Sequence, residues 1–298
     1  MKNRFSLIGF IIVIICSFGC NQNFEKKTAN NLLLAKVVTS SCVANIANTD
    51  TPEWTKGFDR INFFKQFFSI ALSGKVKVYG YAALGDTINR KIFLATELSA
   101  KIRQHVDTID FELFKEIRFI ENWTFHENNT KFEKEVIAWT PIKIWKKDGE
   151  VKKQMVSFAY PKNPAKGRLV AHNIFYEHPW YQEYPNIYTG FDQLNFMKLI
   201  IDKIKSGEII AYDPIYLVDG SKRKFRPTEL ETYIGENLES FGLENAVNTI
   251  LFEEDWYFDQ SSLGLTKDVK SIAFVGYGPY DEATDSHAKK ILFFIFPK

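Results

Sequence analysis

The sequence predicts an α+β fold built from two tandem copies of one unit: helix, strand, helix, then three strands in an antiparallel meander. Three observations lead there. First, residues 52–79 and 185–212 align without a gap at an offset of 133, matching at Pro52/Pro185, Gly57/Gly190, Phe58/Phe191, Asp59/Asp192, Asn62/Asn195, Phe63/Phe196, Lys65/Lys198, Ser73/Ser206, Gly74/Gly207 and Tyr79/Tyr212. A repeat of this kind changes the expected architecture before any local reading begins. Second, the triplets Thr96-Glu97-Leu98 and Thr228-Glu229-Leu230 follow at corresponding places. Third, Phe119, Glu121, Trp123 and Phe125 recur as Phe252, Glu254, Trp256 and Phe258, again 133 residues on. Their period of two puts each set on one side of a strand.

Composition sets the bounds. A chain of 298 residues has room for two domains of roughly 100–150 residues, each with its own core. Aromatics reach 15%, led by 27 Phe, which suits aromatic-rich strands and cores. A net charge of +2 gives no electrostatic footprint for nucleic acid.

Taken in order, residues 1–20 have the layout of a secretory signal, with Lys2 and Arg4 ahead of an apolar run from Phe5 to Cys16. Ser17-Phe18-Gly19-Cys20 resembles a bacterial lipobox, so Cys20 is the expected lipidation site and first mature residue. Acyl chains there would anchor the protein by burying methylenes worth about 0.8 kcal/mol each. Cys42 is the remaining thiol after processing, too few for a disulfide framework or a cysteine-based metal site. Residues 21–51 read as a polar tether, with a short helix expected at Leu32 to Ala35.

The first unit spans 52–162 and the second 185–298. Asp59 and Asp192 stand at N-cap positions before helical apolar patterns: Phe63, Phe64, Phe67 and Ala71 in one, Leu194, Met197, Ile201 and Ile204 in the other. Gly74 and Gly207 close these helices, because glycine takes the left-handed C-cap conformation at no steric cost. Strands are expected at Lys75 to Tyr79 and Glu208 to Tyr212. Turn signals follow at Gly85-Asp86 and Asp219-Gly220, and then a second helix capped by Thr96 or Thr228. The first strand of each meander carries Trp123 and Phe125 or Trp256 and Phe258. The next contains Ile137-Ala138-Trp139 or Ile272-Ala273-Phe274, at an apparent offset of 135. The last is expected at Phe158 to Lys162 and Phe294 to Lys298, with Asp148-Gly149 as a hairpin turn before the first of these. Residues 163–184 are rich in aromatics and are expected to pack on one or both units.

His172 and His178 have no familiar metal spacing, and no phosphate loop, GxSxG or HExxH occurs. No cofactor is expected. Glu253-Glu254-Asp255 reads as a solvated strand face, and Asp281, Glu282, Asp285 and His287 as a solvated loop. What the two copies share is caps, turn glycines and aromatics, which points away from an enzyme. The positions singled out are therefore structural: Gly74, Tyr79, Trp123 and Phe125, with Gly207, Tyr212, Trp256 and Phe258.

Ser206-Gly207-Glu208-Ile209-Ile210-Ala211-Tyr212, Phe225-Arg226-Pro227-Thr228-Glu229-Leu230 and Glu253-Glu254-Asp255-Trp256-Tyr257-Phe258-Asp259 together resemble the gliding-motility N (GldN/PorN) family of the Bacteroidota type IX secretion system. Phe293-Phe294-Ile295-Phe296-Pro297 is similar to that family's later aromatic strand. The resemblance implies a non-enzymatic scaffold or accessory lipoprotein with protein partners in the cell envelope, among them type IX secretion or gliding components, and leaves room for a homo-oligomer. Lipidation at Cys20 departs from the family's usual form and places the chain on the outer membrane, facing the periplasm. The alternative is a lipoprotein that presents Trp180, Tyr181, Tyr184 and Tyr188 to glycans. A hydrolase using the Asp281 to His287 loop is a third, weaker reading.

Overall fold

The computed structural model describes residues 31–43, 57–80, 91–104, 109–127, 130–179, 193–215, 220–237, 247, 249–281 and 286–297. Along the first unit run β1 (Asn31–Val43), α1 (Arg60–Leu72), α2 (Ala95–Arg103), β2 (Phe114–His126), β3 (Lys131–Lys147) and β4 (Glu150–Met155). The second repeats that order with β5 (Arg168–Pro179), α3 (Gln193–Lys205), α4 (Pro227–Asn237), β6 (Thr249–Asp259), β7 (Gly264–Asp281) and β8 (Ser286–Ile295). Each unit forms one four-stranded antiparallel sheet with its strands in chain order. The class is α+β.

The element order differs from expectation at both ends of the first helix. A strand precedes it: Asn31–Val43, expected as tether with a short helix, pairs along β2 from Asn31 opposite His126 to Val43 opposite Glu116. Val37, Val38 and Thr39 are β-branched and suit a pleated surface, and the partner strand lies far along the chain. In the same way the segment 163–184 supplies β5, which pairs with β6. After the helix, the expected strands Lys75 to Tyr79 and Glu208 to Tyr212 shrink to single-residue bridges. Tyr79 exchanges both backbone hydrogen bonds with Phe158 (2.9 and 2.8 Å), and Tyr212 does the same with Phe294 (2.8 and 2.9 Å). The strand expected at Phe158 to Lys162 is likewise reduced. Phe158 pairs with Tyr79 and Ala159 with Trp139, while the regular strand β4 lies earlier, at Glu150–Met155.

Local signals account for the helix ends. Asp59 accepts from Asn62 N at 3.1 Å, whereas Asp192 lies outside the described residues. Gly74 and Gly207 take φ of +71° and +79°, which a side chain would oppose. Thr96 and Thr228 are not caps. Both second helices start earlier, α2 at Ala95 and α4 at Pro227, whose fixed φ and missing N–H suit a first helical position. Their Glu residues do the capping: Glu97 accepts from Leu94 N and Glu229 from Arg226 N, both at 3.0 Å.

The sheets also correct the apparent offset of 135. Trp139 stands opposite Phe119, and Ile272 opposite Phe252, so Trp139 corresponds to Ile272 and the offset remains 133. Each pair has a bulge at the same place, Ile137 in β3 and Lys270 in β7. The extra residues of the second unit therefore sit in the β7–β8 hairpin. In the first unit Asp148 and Gly149, with φ of +53° and +81°, join β3 to β4 in the two-residue turn that favours these residue types.

One large hydrophobic core serves both units. The inner faces of the two sheets meet through Phe119 on Trp256 (5.2 Å) and Trp123 on Phe252 (5.3 Å). Helix α1 adds Phe63 against Phe258 (5.1 Å), and α3 adds Phe196 against Phe125 (6.0 Å). Every one of these four contacts crosses between units.

Candidate functional site

The most distinctive polar feature lies inside this aromatic layer. Alternation on β2 and β6 turns Glu121 and Glu254 inward between the aromatic residues that flank them. Lys134 of β3 and Lys267 of β7 come from the neighbouring strands of their own sheets. All four side chains are fully buried.

Their pairing crosses between units. Lys134 Nζ stands 2.7 Å from Glu254 Oε1, and Lys267 Nζ stands 2.5 Å from Glu121 Oε1. Lys267 also lies 3.6 Å from Glu254 Oε2. The second oxygen of each carboxylate is held within its own unit: Trp123 Nε1 donates to Glu121 at 2.9 Å, and Trp256 Nε1 to Glu254 at 2.8 Å. Each ammonium also faces a ring of the opposite unit, Lys134 over Phe252 at 3.0 Å and Lys267 over Phe119 at 3.3 Å. Two positive and two negative charges thus cancel within one enclosed cluster.

Such a cluster tolerates burial only as a whole, because each ion loses its hydration and depends on its partners to offset the loss. Burial raises the Glu121 carboxyl, but Lys267 and Lys134 beside it, with hydrogen bonds from Lys267 and Trp123, more than reverse this and leave it below its ordinary value. For Lys134, burial prevails over the attraction of Glu254 and Glu121 and holds the ammonium at about 8.

Glu253 and Asp255 lie on the other face of β6. The expectation of a solvated acidic strand fails for two of the three residues, since Glu254 is fully enclosed and Glu253 is 6% exposed. Ser271, itself buried, donates to Glu253 at 2.5 Å. Burial still raises the Glu253 carboxyl against that bond, and Asp255 adds to the rise. The first unit has Ile120 and Ala138 at the corresponding places, so this pair does not recur.

Of the positions picked out in the sequence, Trp123, Phe125, Trp256 and Phe258 are buried in the shared core. Tyr79 and Tyr212 form the edge bridges, their rings set edge-on to Tyr160 (5.4 Å, 86°) and Phe296 (4.8 Å, 84°). Gly74 and Gly207 sit at helix ends, away from the cluster. Cys20, Trp180, Tyr181, Tyr184, Tyr188, Glu282 and Asp285 lie outside the described residues. Asp281 and His287 fall at facing ends of β7 and β8. The residues that sequence reasoning missed are Lys134 and Lys267. The signal was present, because they are 133 apart and each precedes an acid and a valine.

A surface groove of about 510 Å³ runs beside the cluster between β3 and β7, lined by Lys131, Glu133, Glu135, Asp268, Lys270 and Pro297 among others. Its charges are engaged. Lys131 pairs with Glu133, Lys166 with Asp268 at 2.6 Å, and Lys270 with Asp255 at 3.0 Å, while Asn122 donates to Glu135 at 2.9 Å. Among the described residues no group of His, Cys, Asp or Glu could hold a metal ion, and no helix is long and apolar enough to cross a membrane. The arrangement joins the two units through buried, paired charges.

No curated protein matches the chain. A family model does, that of "Gliding motility associated protein GldN", over residues 177–298. The match begins within β5 and takes in α3, α4 and β6 to β8, including Glu254, Trp256 and Lys267. From residue 177 to 298, then, this chain is GldN-like.

Proposed function

We propose that the chain is a non-enzymatic scaffold or accessory lipoprotein of the type IX secretion and gliding-motility machinery. In this reading it consists of two tandem copies of a GldN-like unit, anchored to the outer membrane through Cys20 and facing the periplasm. The observation that carries the reading is the family match over 177–298. It gains support from the way the second unit's polar core, Glu254 and Lys267, is completed by the first unit's Lys134 and Glu121. A chain that spends its most unusual buried groups on joining its halves is built to present a fixed surface to other proteins. The lipobox-like Ser17 to Cys20 supports the anchor, and the shared element order supports the duplication.

The test is capture of a tagged full chain from its native envelope in mild detergent, with co-purifying proteins identified by mass spectrometry. Enrichment of type IX secretion or gliding components over an unrelated lipoprotein bait is the expected result. Recovery of the chain with no such component would overturn the reading. Metabolic labelling with a palmitate analogue, lost in Cys20→Ser, tests the anchor separately.

A further inference from the structure

The contacts between the two units are reciprocal, residue for residue. Lys134 reaches Glu254 while Lys267 reaches Glu121. Phe119 meets Trp256 while Trp123 meets Phe252, at 5.2 and 5.3 Å and at 70° and 66°. Phe63 meets Phe258 while Phe196 meets Phe125. In each case the second contact is the first with both partners moved by 133 in opposite directions. Only an approximate two-fold rotation exchanges partners in this manner, and a two-fold interface is self-complementary by construction.

We infer that the face of the second unit formed by Phe252, Glu254, Trp256 and Lys267 fits a second copy of itself, and that the first unit occupies that place within the chain. The second unit holds both halves of the lock, a lysine and the glutamate that receives it. Two copies related by a true two-fold would pair Lys267 of each with Glu254 of the other. The first unit, with Lys134 and Glu121, has the same property. Pairing between the units of one chain prevails because they are tethered, which gives each a high effective concentration of the other. The inference extends the tandem-copy reading, but rests on the reciprocal contacts and not on the secretion role.

A charge exchange confined to one unit tests it. In the full chain carrying Glu121→Lys with Lys134→Glu, the first unit opposes like charges to the second: position 121 meets Lys267 and position 134 meets Glu254. Each unit still matches its own copy in another chain. Native mass spectrometry from detergent should then give twice the wild-type mass, and two differently tagged copies should co-purify more than wild type does. Adding Glu254→Lys with Lys267→Glu restores opposite charges within the chain and should return the mass to the wild-type value. Because both variants remove the acceptor of a tryptophan N–H, the second controls for that loss. A folded half-exchanged variant that keeps the wild-type mass would overturn the inference, as would a doubled mass that persists in the fully exchanged one.

Should the half-exchanged chain fail to fold, the wild-type chain supplies the test. It is unfolded in denaturant and refolded at increasing protein concentration. Like units paired between chains should raise the fraction at doubled mass at least severalfold across a hundredfold range of concentration. In a mixture of isotope-labelled and unlabelled chains they should also give chemical crosslinks from one second unit to the other. A flat fraction, or a doubled mass held only by first units on second units, would contradict the self-complementary face. Neither experiment depends on which envelope proteins the chain captures, so failure here and failure of the scaffold reading are separable.

Discussion

Lys134 Nζ lies 2.7 Å from Glu254 Oε1, with both side chains wholly enclosed between the two sheets. This contact joins residues 120 positions apart and ties a strand of the first unit to a strand of the GldN-like second. Several consequences can be measured.

Removing one partner leaves the other charge buried and unpaired, which costs about 3–5 kcal/mol. Glu254→Gln alone should destabilise by that order in denaturant unfolding at pH 7, while Lys134→Met, which also removes the cost of burying the ammonium, should lose less. Replacing both at once leaves Lys267 beside Glu121 and keeps the cluster neutral. The double variant should therefore lose clearly less than the sum of the singles, and a double-mutant cycle reads the difference.

Above neutral pH the cluster should show itself through Lys134, which burial holds at about 8 against an ordinary value near 10.5. Below 8 the proton is bound in both states and the cost of burying the charge is fully present. Between 8 and about 10.5 the unfolded chain binds more protons, so this group makes stability rise with pH. At about 1.4 kcal/mol per pH unit, the rise is on the order of 3 kcal/mol across the window. The stability difference between wild type and Lys134→Met, followed from pH 7 to 10.5, isolates it. Glu121 acts at the other end. Its carboxyl is held below the ordinary value by Lys267 and Lys134 despite its burial, so its contribution is present above about pH 4.5 and is lost as pH falls through the folded value. Glu121→Gln should flatten that part of the acid profile.

Trp139 offers a second, uncharged link between units, its Nε1 donating to Leu263 O at 2.8 Å. Trp139→Phe keeps much of the ring and deletes the bond, leaving a buried carbonyl without this donor. A loss of about 1–2 kcal/mol is expected, measured by the same unfolding experiment.

Gly207 at φ +79° has no atom within 4 Å of where a side chain would begin. Gly207→Ala should therefore cost only backbone strain, about 1–2 kcal/mol, with no change in the core. Gly74→Ala, at φ +71° with equally open space, should match it. Thermal melts of the two variants provide the comparison.

Local chemistry was legible in the sequence wherever the cause was local. Asp59 as a cap, the terminal glycines of α1 and α3, the Asp148-Gly149 turn and the inward Trp123 and Trp256 all follow from a few adjacent residues. Thr96 and Thr228 were misjudged because an acid three positions into a helix caps the backbone as well as a threonine at its start. What escaped was non-local. Strand β1 lacks a helical or strictly alternating pattern and acquires its structure from a partner far along the chain. The acidic run at 253–255 looked solvated because nothing nearby reveals that Lys134 waits on another unit. Ile137 and Ile272 suggested a false offset, since a bulge at the same place in both sheets keeps the register at 133.

The central structural claim is that the two units, joined through Glu121, Lys134, Glu254 and Lys267, open as one body. Native-state hydrogen exchange of amides in β2 and β6 across a denaturant series tests it most directly. The claim predicts one opening free energy and one denaturant slope for both strands. Loss of protection in β2 at a distinctly lower free energy, while β6 stays protected, would contradict it.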